Sequence, residues 1–200
     1  MNLDQKYLAL DLELNNAPDG STPNPSIIQI GVAIGSARQS SSEWITKKWY
    51  VKVNEPIYQF ITDLTGITNE DISQFGMNRY DIGQELSRLI KDNDVFVNPV
   101  TWGGGDSTEL KKEFDNHGIE FRHFGRRWVD VKTWYVMRML ANGKKPSGGL
   151  SSAMGVYKMQ FEGKAHRADV DAYNTLRLFF EILKQQKRML DMISMAKEVK

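Results

Sequence analysis

The sequence has no cysteine. That excludes a disulfide framework and any thiolate metal centre, and it fits a reducing, cytoplasmic setting, which is the expected localisation. No apolar run approaches the length of a membrane span, and the opening MNLDQKYLAL lacks the charged-then-apolar layout of a signal peptide, so no membrane association is expected. An excess of either charge is also missing, the formal net charge being +1. A non-specific duplex binder usually carries a clear basic excess. If nucleic acid is bound, a short segment held at a local site is the reading that this charge allows.

What is present is the balance of an ordinary globular chain, 40% hydrophobic and 26% charged over 200 residues. Residues 7–14 (YLALDLEL) alternate with period two, putting Tyr7, Ala9, Asp11 and Glu13 on one face and four leucines on the other. A loop rich in Pro, Gly and Asn follows, then IIQIGVAIG and KKWYVKV, which read as two more strands of an antiparallel meander. Beyond it, helical stretches near 80–91, 107–117, 132–141 and 150–158 alternate with the short apolar runs VFVNP and RWVDV. A long helix is expected from about Ala168 to the C-terminus, with a break near Arg188 and a helical tail over about 186–200. The pattern predicts one α/β domain over residues 1–200, a mixed sheet flanked by helices.

The chemistry lies in scattered acids. Asp11 and Glu13 share a strand face about 6.5–7 Å apart at the backbone, within reach of shared ions. Two like charges beside a core are costly unless a cation relieves them. Solvated acids paired with lysines are the alternative. Asp106, in TWGGGDSTELKKEF, fits a capping box as N-cap of the following helix; it also follows a strand, where α/β sites gather. Asp171 shares a helical line with Thr175, Leu178 and Ile182, so it stands at the start of an inward stripe, where the helix dipole favours an acid. Asp169 reads as an exposed first-turn residue, and His166 precedes the helix on a loop.

Taken together, ALDLEL with IIQIG, Asp106 before its helix, and His166 five residues ahead of Asp171 resemble the DEDDh 3′→5′ exonuclease superfamily, which includes RNase T and polymerase proofreading subunits. Leu64-Thr65-Gly66-Ile67-Thr68, and Trp102-Gly103 ahead of Asp106, are similar to the branch containing the histone-mRNA 3′ exonuclease. Leu14-Asn15 and the Gly103–Gly105 run depart from the usual pattern without touching a ligand position.

The resemblance implies a ribonuclease H-like five-stranded mixed sheet. It implies that Asp11, Glu13, Asp106 and Asp171 hold two Mg2+ ions, with Mn2+ as a substitute, and that His166 is the general base. The expected reaction releases nucleoside monophosphates from single-stranded DNA or RNA 3′ ends. Leu12, Leu14, Leu64, Thr65, Gly66, Ile67 and Trp102 are the candidate substrate contacts, Trp102 being equally suited to packing beneath its loop. Paired cations at Lys47-Lys48, Arg126-Arg127 and Lys144-Lys145 are candidate phosphate contacts or solvated surface. Two other readings stand beside this one: a catalytically silent nucleic-acid-binding module, and a proofreading subunit docked to a polymerase through the C-terminal segment, which could also pair two copies of the chain.

Overall fold

The computed structural model describes residues 2–198, without the side chains of 196–198. Three strands, β1 (Lys6–Asn15), β2 (Ser26–Ser36) and β3 (Ile45–Val51), form the expected antiparallel meander. Helices α1 (Gln59–Thr65) and α2 (Asn69–Phe75) follow, then β4 (Gly76–Met77) and α3 (Arg79–Asn93). The remainder alternates: β5 (Val100–Thr101), α4 (Gly105–Asn116), β6 (Val129–Asp130), α5 (Val131–Ala141), α6 (Leu150–Val156) and α7 (Ala168–Glu198).

The sheet is mixed, in the order β4-β3-β2-β1-β5-β6, with β4, β5 and β6 joining in parallel. It has six strands rather than five. The extra one is the two-residue edge strand β4, too short for any periodicity to announce it. β5 is also shifted from the apolar run VFVNP: the ladder starts after Pro99, which has no N–H to donate, and the Val97 carbonyl instead accepts from Gly125 N–H at 2.7 Å.

Alternation along β1 divides the core. Leu8, Leu10 and Leu12 pack beneath α3 and α4 with Ile82, Leu86, Leu110 and Phe114. Ala9, on the opposite face, packs with Ala172, Leu176 and Tyr135 of the α5–α7 layer. Ile28 joins a third cluster with Ile57, Ile61, Ile67 and Ile72, which fixes α1 and α2 against the sheet.

α7 continues through Arg188 without the expected break, since no proline or glycine interrupts it. Its 31 residues span about 46 Å. Burial on it ends at Ile182, and from Lys187 to Met195 every side chain is exposed. The last two residues of the anticipated tail, 199–200, lie outside the described residues. Among the described residues no helix is long and apolar enough to cross a membrane.

Candidate active site and metal centre

Asp11 and Glu13 project from β1 toward α7, and their partners on β2 seat that helix. Asp11 pairs with Gly31 and Glu13 with Gln29. A Cβ on Gly31 would stand 2.0 Å from the Ala168 carbonyl carbon, so only glycine lets the first turn of α7 lie directly on the sheet. Gln29, fully buried, accepts the Ala168 N–H through Oε1 at 2.9 Å and so satisfies one of the helix's unpaired N-terminal donors from another strand. A register shift at Glu13/Leu14 adds a local bend to β1.

With α7 so placed, one carboxylate oxygen each from Asp11, Glu13 and Asp171 lie within 4.8 Å of one another. The inward stripe behind Asp171 is as expected, Thr175, Leu178 and Ile182 all being buried.

Asp106 comes from the other side of the sheet's central strand. The structure corrects its capping role: α4 begins one residue earlier than Asp106, with Gly104 at the N-cap. Asp106 is therefore a first-turn residue, near enough to Asp11 to raise its carboxyl but outside the group of three acids whose oxygens meet. Gly103, at φ +101°, makes the left-handed turn that brings the chain into the helix early.

His166 sits on the exposed loop before α7 with φ +61°, in the left-handed region, and its backbone N–H donates to Asp171 Oδ2 at 2.8 Å. The histidine's main chain thus holds one Asp171 oxygen while its side chain is open to solvent.

The electrostatics are those of crowded acids. Burial, then the charges of Asp106, Glu13 and Asp171, hold the Asp11 carboxyl well above its ordinary range. Burial, with Asp171 and Asp106 behind it, pushes Glu13 up to about 8. Asp106 rises to about 7, chiefly by burial, although the backbone amides of Asp106 and Leu12 draw it down. Asp171 is raised by burial, against the pull of the His166 and Arg167 amides. Converging hard oxygen donors that repel one another, offset only in part by the Arg167 guanidinium at Glu13, suit a divalent cation of the magnesium or manganese type.

Other candidates fall differently. Asp169 is half-buried rather than exposed, because it turns toward β3 and pairs with Lys48 at 3.4 Å. Leu12 and Leu14 pack with the cluster beneath α3 and α4, away from Asp11 and Glu13. Thr65 and Ile67 are buried and internally bonded: Thr65 Oγ1 donates to the Ile61 carbonyl at 2.8 Å and accepts from Ile67 N–H at 3.0 Å. They shape the turn at Gly66 (φ +78°) and leave Leu64 exposed beside it. Trp102 packs on the α5–α7 core, its ring 5.9 Å from that of Tyr135. Lys47 is engaged by Glu85 and Lys48 by Asp169; Arg126, Arg127, Lys144 and Lys145 are exposed.

The sequence reading missed four residues. Gly31 and Gln29 seat α7; a glycine in the interior of an apolar strand is a signal of close backbone approach. The Arg167 guanidinium lowers Glu13 and donates to the Tyr50 hydroxyl at 3.3 Å. Lys164 reaches across to α1, its ammonium 2.8 Å from where a Cβ on Gly66 would stand, which brings the Leu64–Gly66 turn next to the loop that carries His166.

The profile of the RNase_T exonuclease family matches residues 8–179. Small RNA degrading nuclease 3 of Arabidopsis thaliana is 23% identical over 174 residues, 86% of this chain but 19% of that protein, so the chain spans about a fifth of its curated relative. A full-length 3′-exonuclease superposes with a TM-score of 0.79 at 17% identity, covering 92% of this chain and 62% of the other. The nuclease domain of 3′hExo, a DEDDh family member bound to rAMP, gives 0.74 at 16% identity over 92% and 94% of the two chains. The likenesses to solved structures bear on the fold, and the profile, which takes in Asp11, Glu13, Asp106, His166 and Asp171, decides the family. The chain belongs to the RNase_T exonuclease family.

Proposed function

We propose that this protein is a metal-dependent 3′→5′ exonuclease that releases nucleoside 5′-monophosphates from single-stranded nucleic acid ends. The observation that carries the reading is the meeting of Asp11, Glu13 and Asp171 oxygens within 4.8 Å, with Asp106 close enough to Asp11 to be the largest single charge acting on it. A binding module has no use for acids forced together against their own repulsion.

Asp11, Glu13, Asp106 and Asp171 are the residues that would hold two Mg2+ ions, or Mn2+ in their place. The ions supply activation of the attacking water and neutralisation of charge on the leaving oxygen. His166, on its exposed loop, takes the proton from that water. Water oxygen bonds to phosphorus as the P–O3′ bond breaks, and O3′ takes a proton from solvent, so that the shortened strand leaves with a 3′ hydroxyl. The His166 backbone amide donates to Asp171 Oδ2 and so restrains the Asp171 carboxylate. The exposed Leu64 lies beside the loop at Lys164–His166, and together they are the candidate contacts for the terminal nucleotide.

The test is incubation with 3′- and 5′-labelled single-stranded DNA and RNA oligomers, with Mg2+ and with EDTA. Stepwise shortening of the 5′-labelled strands, immediate mononucleotide release from the 3′-labelled ones and silence in EDTA are expected. No degradation of either polymer in Mg2+ would remove the reading.

A further inference from the structure

A second concave surface opens at the same end of the sheet as the acids. It is a cleft of about 780 Å³ between α4 and the segment 119–130, within the range of about 300–1,000 Å³ typical of small-ligand sites. One wall is aromatic: Phe121, Phe124 and Trp128 follow one another edge to face, with ring centroids 5.1 and 5.2 Å apart. All three are half-buried, so each is anchored in the core and still reaches the cleft.

The rim is cationic. Lys111 and Lys112 stand along α4, held by Asp115 and Glu109. Arg126 lies across from them, and neither it nor the adjacent Arg127 enters an ion pair among the described residues. None of the four acids lines the cleft, and Asp130 at its inner end is the link to them. Asp130 lines it there, accepts the Gly103 N–H at 2.9 Å, and is near enough to Asp106 to raise its carboxyl.

We infer that this cleft is an upstream subsite for single-stranded nucleic acid, a reading that rests on the exonuclease assignment above. It receives unpaired bases upstream of the last two nucleotides, stacked against Phe124 and Trp128, with their phosphates on Arg126 in the lining and on Arg127 next to it. Aromatic rings beside free guanidinium groups are the combination that holds single strands without regard to sequence. Asp130, which lines the cleft and lies near Asp106, marks the path between the two. A purely apolar occupant would leave the arginines unused, and a duplex would not present its base faces to the rings.

A subsite of this kind acts only on substrates long enough to enter it. Hydrolysis of a dinucleotide and of a single-stranded 10-mer should therefore be compared for the wild type, an Arg126→Ala/Arg127→Ala double variant and Phe124→Leu. The arginines are exposed, so the double variant tests the idea even if Phe124→Leu fails to fold. KM for the 10-mer should rise about tenfold, with kcat and all dinucleotide kinetics unchanged, and the salt dependence should flatten by roughly one to two units of slope. Unchanged 10-mer kinetics in the folded variants would overturn the proposal, as would an equal loss on both substrates. If the wild type cleaves nothing, the exonuclease reading fails by itself. Anisotropy with a labelled 10-mer then decides the cleft: weaker binding by the double variant supports it, and equal binding overturns it.

Discussion

Gly31 lies so close under Ala168 that the α7 backbone occupies the space a Cβ would need, the nearest atom being 2.0 Å from that position. The obstacle is main chain, which cannot rotate away. Gly31→Ala should therefore lift the first turn of α7 and carry Asp171 away from Asp11 and Glu13. Overpacking of this kind costs about 1–3 kcal/mol, or several degrees in Tm for a chain of this size. The expected activity loss is more than tenfold, because the acids must converge to within ångströms. Thermal melts and the labelled-oligomer assay read both effects; wild-type values in each would mean that α7 is not seated through this contact.

The raised carboxyls make the metal-free protein sensitive to alkali. Glu13 moves up to about 8 in the folded chain while the unfolded chain titrates it near 4.5. Between those values the native state holds a proton that the unfolded state has lost, so stability falls as pH rises through that window. In EDTA the Tm should therefore decline from about pH 5 to pH 8. Glu13→Gln removes the buried charge, and it should flatten that decline and raise the metal-free Tm at pH 8 by about 2–4 °C while abolishing hydrolysis. Adding Mg2+ should stabilise the wild type more at pH 8 than at pH 5.5, since ligands there need give up fewer protons. A metal-free Tm that rises steadily with pH would contradict the crowding of acids described above.

Much of this site is written in local patterns. Strand alternation alone puts Asp11 and Glu13 on one face, and the stripe through Thr175, Leu178 and Ile182 turns Asp171 inward. The long helix and the three-strand meander are equally periodic. What sequence could not supply was long-range and backbone-made. β4 is two residues long, and its pairing is decided by β3 rather than by its own composition. The seating of α7 on Gln29 and Gly31 joins positions nearly 140 apart in the chain. Asp106 looked like a cap because its neighbours fit the capping pattern, yet the helix starts one residue earlier, at Gly105. Asp169 looked exposed because its partner, Lys48, comes from β3.

Asp169 and Asp171 make a matched pair on one helical turn. Asp171 joins the acid cluster, whereas Asp169 faces Lys48 in an ion pair whose side chains are 34% and 23% exposed. A pair that open contributes at most about 1 kcal/mol. Asp169→Asn should therefore retain near-normal turnover with a small fall in Tm. Asp171→Asn should abolish turnover and weaken Mg2+ binding by calorimetry, with the melting transition kept. Comparable activity in the two variants would remove Asp171 from the metal-binding set.

His166 combines two roles that substitution can separate. Its backbone, at φ +61°, aims an N–H at Asp171, and every residue except proline retains that donor. The proposed proton transfer requires only its side chain. His166→Asn suits the left-handed backbone and removes the imidazole, so it should leave Mg2+ affinity and Tm close to wild type while slowing hydrolysis about 10²–10⁴-fold. His166→Gly relieves the same backbone and leaves open space on an exposed loop, so added imidazole should restore part of its rate. If the Asn variant turned over at the wild-type rate, the proton would be leaving the water by another route. If instead both variants lost Mg2+ affinity, the residue would serve Asp171 through its main chain and the imidazole would have no part in the reaction.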